Sequence, residues 1–252
     1  MIKIFTTTFL ILSITLFSQN RIKILDSENQ KPIAYAKLIL KNKDYYKNTE
    51  ENGETMLEKD EEISEIQSFG FENLHVEKFQ QIYLLKPKFS EIETVEISKP
   101  KFQKKFTVGS IKKSNMGFAA LSKSWVVVDL FKNNIPEEKV YIKKIKIPTQ
   151  VDKTLKEATF NLVFYENING KPSSEKRKNI IVTCKSGKNI TEVDLTKSPI
   201  SFPKEGLFIG FEWILNEQNK YSYTTDIHHL DGTKEEKCTT NWNISFFQRL
   251  RI

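Results

Sequence analysis

Histidine and cysteine are scarce in this chain, with 3 and 2 copies among 252 residues. Imidazole chemistry therefore rests on His75, His228 or His229, and thiol chemistry on Cys184 and Cys238. No Gly-x-Ser-x-Gly turn is present to hold a serine nucleophile on a strained elbow. The formal net charge is +7, but no helix-turn-helix, zinc-finger or aromatic RNA-binding pattern accompanies the lysines. Phosphate attraction alone carries no specificity, so nucleic acid is not an expected partner. From Phe106 onward no long amphipathic helix can be traced.

The one sustained apolar run lies at the start. Met1 to Gln19 carries Lys3 as its only charge, then Phe9 to Phe17 broken by Ser13 and Thr15, then Ser18. A positive start, a short apolar middle and a small residue at the end describe an export signal, too short to span a bilayer as a mature helix. Cleavage is expected near Ser18, which leaves no transmembrane segment in the mature chain. No cysteine follows the run, so a lipid anchor is not expected. The predicted location is periplasmic or secreted.

Charge divides the remainder. Arg21 to Glu96 holds 11 basic and 16 acidic residues, a balance of −5, whereas Lys99 onward holds 27 and 16, a balance of +11. This shift predicts two modules, although solvated lysine-rich faces account for much of the excess. In an oxidising compartment Cys184 and Cys238 permit one disulfide closing a loop of over fifty residues, worth roughly 3–4 kcal/mol by loop entropy. Two free thiols are the other reading.

Between Ile22 and Leu85 short alternating segments are separated by turns. Asp26 precedes a polar turn, and Pro32-Ile33 leads into Ala34 to Leu40. Thr49 comes before Asn52-Gly53, then Asp60-Glu61-Glu62 before Ile63 to Ser68. Gly70-Phe71 precedes a closing strand, Ile82 to Leu85. Asn52-Gly53 predicts a tight hairpin, and Gly70 a bulge or close backbone approach. This order resembles the carboxypeptidase regulatory-like domain, a transthyretin-like β-sandwich also found ahead of TonB-dependent receptors. The resemblance implies a module over 20-88 that binds or braces. The His-x-x-Glu zinc motif of the peptidase itself is missing.

Residues 89-113 then read as a strand, Phe89 to Ser98, and a basic linker with Lys99, Lys101, Lys104 and Lys105. Over 114-252 the predicted strands are Trp125 to Phe131, Tyr141 to Ile147, Ala158 to Tyr165, Ile180 to Cys184, Glu192 to Leu195, Gly206 to Leu215, Tyr221 to Thr225 and Trp242 to Phe247. Asn169-Gly170-Lys171-Pro172 is the clearest turn. Pro199 and Pro203 mark Ile200 to Phe202 as an edge strand or an approach to the central one. The order from Lys143 to Ile214 is similar to jelly-roll domains of exported bacterial proteins. The expected fold is therefore all-β, an N-terminal transthyretin-like β-sandwich followed by a jelly-roll β-sandwich.

Few residues offer chemistry. Asp226 and His228 share one side of a strand and, with Asp231, supply oxygen and nitrogen of the kind zinc accepts, which would suit a metal-dependent hydrolase. No Cys or His pair completes a four-ligand set, and Asp231-Gly232 reads first as the tip of a hairpin. Glu212, beside Trp213, is the one carboxylate placed for acid–base work, on a strand side where a solvated or salt-bridged glutamate is ordinary. Tyr221 and Tyr223 share a face near a loop and can stack on sugar, as in a carbohydrate-binding module. Trp213 and Trp242 fall in apolar alternation and read as core. The expectation is a non-catalytic binding or structural protein with no cofactor, whose partner is an envelope protein or glycan.

Overall fold

The computed structural model describes residues 21–88, 104–111, 117–120 and 125–247, and the chain divides into two compact units, 1–90 and 91–252. The expected export signal, the strand Phe89 to Ser98 and the charges Lys99 and Lys101 lie outside the described residues. The protein is all-β. Among the described residues the sole helical element is a 3-10 turn at Glu217–Asn219, and no helix is long and apolar enough to cross a membrane.

Unit 1 contains β1 Arg21–Asp26, β2 Lys37–Leu40, β3 Tyr46–Asn48, β4 Glu54–Met56, β5 Ile63–Gln67, β6 Leu74–His75 and β7 Ile82–Leu85. They form two sheets, β4-β1-β7 and β3-β2-β5-β6, with β1 and β7 parallel. Alternation sends Ile22, Ile24, Tyr83 and Leu85 from one sheet, and Leu38 and Leu40 from the other, into one buried cluster, and a register shift at Ile39/Leu40 lets both Ile63 and Ile66 of β5 join it. Each sheet thus covers the apolar face of its neighbour in a sandwich-like layer pair.

Two turns differ from expectation. Asn52-Gly53 does not close a hairpin between paired strands, because β3 and β4 belong to different sheets. It carries the chain across the core, closed by the Gly53 N–H donating to Glu50 O at 3.0 Å. Gly53 has φ +74°, and a Cβ there would sit 2.8 Å from Ile24 O, so conformation and space both demand glycine. Gly70 makes no close approach either. It has φ +85° with nothing within 4 Å and belongs to a turn closed by the Phe71 N–H and Ser68 O.

Unit 2 contains β8 Gly117–Ala120, β9 Val126–Phe131, β10 Tyr141–Ile142, β11 Lys144–Val151, β12 Glu157–Ile168, β13 Lys171–Pro172, β14 Lys178–Lys185, β15 Gly187–Asp194, β16 Ile200–Ser201, β17 Leu207–Trp213, β18 Lys220–His228 and β19 Lys234–Phe247. One sheet runs β15-β11-β19-β18 with β8 on β19; the other runs β13-β12-β17-β9 with β14 on β12. The single strand expected over Tyr141 to Ile147 is broken at Lys143. Its first two residues pair with β16 between Pro199 and Pro203, and the rest pairs with β15. The turn expected over Asn169 to Pro172 is shorter than that: only Asn169 at φ 53° and Gly170 at φ 83° turn the chain, and Lys171-Pro172 pairs back on β12 as β13. An aromatic row links the sheets: Phe118 on β8 meets Trp125 edge-on at 6.1 Å, and Trp125 stacks on Trp213 at 6.0 Å. All seven residues of β17 are buried.

Candidate functional site

The base of the β18–β19 hairpin is fixed by two asparagines. Asn216 caps the 3-10 turn, its Oδ1 accepting from the Asn219 N–H at 3.2 Å. Asn219 is buried, and its amide completes a broken ladder at Thr159 on β12. Oδ1 accepts from the Thr159 N–H at 2.8 Å, while Nδ2 donates to Thr159 O at 2.7 Å and Ile214 O at 2.8 Å. One side chain thus satisfies three buried backbone groups and sets where β18 leaves the body.

From that anchor β18 and β19 run as an antiparallel ribbon in unbroken register, from Lys220 opposite Trp242 to His228 opposite Lys234. All nine residues of β18 are half-buried or exposed, and its partners Lys234 to Cys238 are exposed, on alternating sides, so neither face is packed there. Tyr221 and Tyr223 share a face as expected and stack on each other, centroids 5.6 Å apart at 21°. Tyr223 remains 42% exposed, and Leu230 at the tip is fully exposed.

The tip holds the other sequence candidates without assembling them. Gly232 has φ +86°, and the Asp231 carboxylate accepts from the Thr233 hydroxyl at 2.6 Å and its N–H at 2.9 Å. These bonds, the hydroxyl's first, hold the Asp231 carboxyl below its ordinary range. Asp226 faces Glu236 across the ribbon, and His228 faces Lys234. No group of three His, Cys, Asp or Glu among the described residues is placed to hold a metal, so the alternative that joined Asp226, His228 and Asp231 gains no support. The permitted disulfide is not formed: Cys238 is an exposed thiol on the arm, and Cys184 is a buried one on β14. Cys184 donates to Ala158 O at 3.3 Å, and burial pushes its thiol up to about 12.

Glu212 sits in a different setting, a polar network on the buried β12–β17 pair. It is salt-bridged, as one ordinary reading expected, but it is buried rather than solvated. Lys176 Nζ donates to Glu212 Oε2 at 2.5 Å and Asn161 Nδ2 donates to the same oxygen at 3.3 Å. Asn179 Nδ2 donates on to Asn161 Oδ1 at 3.1 Å. Burial and the Glu212 charge push nearby Tyr165 up to about 12. The network holds one carboxylate, already neutralised by an ammonium, whereas glycoside hydrolysis uses a facing pair. Asn161 was legible as a polar residue inside an apolar run, Phe160 to Phe164. Lys176 and Asn179 lie in turn and edge segments with no periodic signal.

Unit 1 offers an open cleft of about 490 Å³ lined by Leu57, Glu58, Glu61, Phe79 and Gln81. Its buried carboxylate, Glu61, is occupied by Lys47 Nζ at 2.6 Å, the Tyr45 hydroxyl at 3.2 Å and the Glu58 N–H at 2.8 Å. That arrangement pins the loop before β5 and leaves little of Glu61 to meet a ligand. The arm is therefore the stronger candidate. No protein-family model matches the chain, and neither curated proteins nor solved structures gave a match.

Proposed function

We propose that this chain is an exported, non-catalytic binding protein of the bacterial envelope, and that the β18–β19 arm is its contact element. The observation that carries this reading is the arm's exposure on both faces. A two-stranded ribbon is at best marginally stable in water. A partner laid on it would bury tyrosine, threonine and isoleucine side chains already held in register. Leu230, fully exposed at the tip, adds an apolar point that one partner pocket would cover.

Export rests on the pattern of Met1 to Gln19. The two-sheet layout of unit 1, with β1 and β7 paired in parallel, supports its reading as a carboxypeptidase regulatory-like brace. The two multi-stranded sheets of unit 2 are compatible with a jelly-roll arrangement. Glycan is the favoured alternative to a protein partner because the stacked pair Tyr221 and Tyr223 presents an outer ring face, and sugars stack on such faces.

Hydrogen exchange of the purified chain with and without isolated envelope fractions tests the proposal. Slowed exchange confined to residues 220–228 and 234–242 is expected. Unchanged arm amides alongside slowing elsewhere would sink it. A glycan array with Tyr223→Ala as control separates the two partner classes: loss of a glycan signal in the variant selects glycan, and no glycan signal selects protein.

A further inference from the structure

Among the described residues the outer edge of β18 is long, regular and bears no second strand. Sheets protect exposed edges with proline, bulges or charges placed along the strand. From Tyr221 to Thr225 β18 has none of these, and its register with β19 is unbroken over nine pairs. Among the described residues β19 is its only strand neighbour. The His229 N–H donates to Thr233 O at 2.9 Å, which makes 229 and 233 a hydrogen-bonded pair. The alternation of an antiparallel ladder then turns odd residues of β18 toward β19, and even ones, Thr224 and Asp226 among them, outward. A strand adding to this edge in antiparallel fashion must meet it even residue to even residue.

One such register satisfies the charges. With Tyr223 opposite its own equivalent in a second copy, Lys220 falls opposite Asp226 of that copy at both ends, and Tyr221 falls opposite Thr225. Asp226 has reason to take a cation, because its own register partner in the arm is Glu236, and like charges directly opposite destabilise a ribbon. Lys220 holds Glu217 Oε1 at 3.0 Å and, with three donors, has protons left for a second carboxylate. The register shifted by two sets Lys220 against His228 and leaves Asp226 across from Ser222, losing both ion pairs.

We infer that β18 is a self-association edge: two copies pair β18 to β18, antiparallel, about a two-fold axis at Tyr223. Such a contact is isologous and closes at two copies. Because directly opposed residues project to the same face, it sets Tyr221 and Tyr223 of both copies on one side of the joined β19-β18-β18-β19 ribbons. The contact uses the edge and not the faces, so it stands independently of the ligand proposed above.

Sedimentation of the purified chain over a concentration series should show a reversible monomer–dimer equilibrium. Asp226→Lys should weaken it about tenfold, since two cross-strand attractions become repulsions. That substitution also removes the clash with Glu236, so weakening would not reflect a damaged arm. Lys220→Asp combined with Asp226→Lys should restore association. In a Cys238→Ser background, Tyr223→Cys should cross-link to a covalent dimer on mild oxidation, whereas Thr225→Cys should not. A chain that stays monomeric throughout, an Asp226→Lys variant that associates unchanged, or a Thr224→Cys cross-link in place of the Tyr223→Cys one would each overturn the pairing.

Discussion

β17 and β18 follow one another in the same unit, both are strands, and their surroundings are opposite. β17 is buried at every residue from Leu207 to Trp213; β18 is buried at none. The difference lies in neighbours. β17 is paired along both edges, by β12 and β9, and Phe208, Gly210 and Glu212 on its second side are buried as well. β18 has one strand neighbour among the described residues. Strand character therefore comes from local alternation, while burial comes from how many elements gather around the strand.

Three experiments sharpen or break that contrast. The largest effect is expected at Gly210, where a Cβ would lie 1.9 Å from Val127 O on β9. Gly210→Ala must push two paired strands apart and should destabilise unit 2 by about 3 kcal/mol, near the upper end for overpacking. Denaturant melts of the purified variant measure it. A midpoint unchanged from the parent would mean that β9 and β17 are not in this close contact.

Asn219→Ala comes next, because it strips bonding partners from the Thr159 N–H and C=O and from Ile214 O. Leaving such groups buried and unsatisfied should cost about 2–3 kcal/mol. It should also speed amide exchange at the base of the arm before its tip, and the reverse order would deny Asn219 its anchoring role.

The smallest effect contrasts the two thiols. Cys238 should react at once with a thiol reagent at pH 8, and Cys184 only on unfolding. The buried Cys184 thiol titrates higher in the folded protein than in the unfolded chain, so its neutral form is favoured by folding. Its contribution is fully present below the ordinary thiol value of 9.0 and is lost as pH rises toward about 12. Tyr165 acts in the same direction from its ordinary 10.0 to about 12. Cys184→Ala should therefore flatten, without abolishing, the alkaline fall in stability. An unaltered slope would remove the thiol from the account.

Legibility followed the range of the interaction. The shared face of Tyr221 and Tyr223, the presence of a turn at Asn169-Gly170 and the tip at Asp231-Gly232 are features set within a few residues, and alternation and turn chemistry revealed them. The partners of Glu212 were hidden because Lys176 and Asn161 lie 36 and 51 residues away. The free state of Cys184 and Cys238 was open for the same reason: two strands in different sheets have no sequence signal for their separation. Asn52-Gly53 was recognisable as a turn, but whether it joined paired strands or crossed between sheets depended on where β4 found its partner.

By itself the sequence determined the all-β class, the strand-by-strand alternation and the positions of the sharpest turns, because backbone conformation and side-chain period are set by neighbouring residues. Only the tertiary structure decided which strands pair, that β17 is enclosed and β18 projects, and that Glu212 is buried against Lys176. Those outcomes depend on distant segments meeting, and the free energy of that meeting is shared among residues that no local pattern connects.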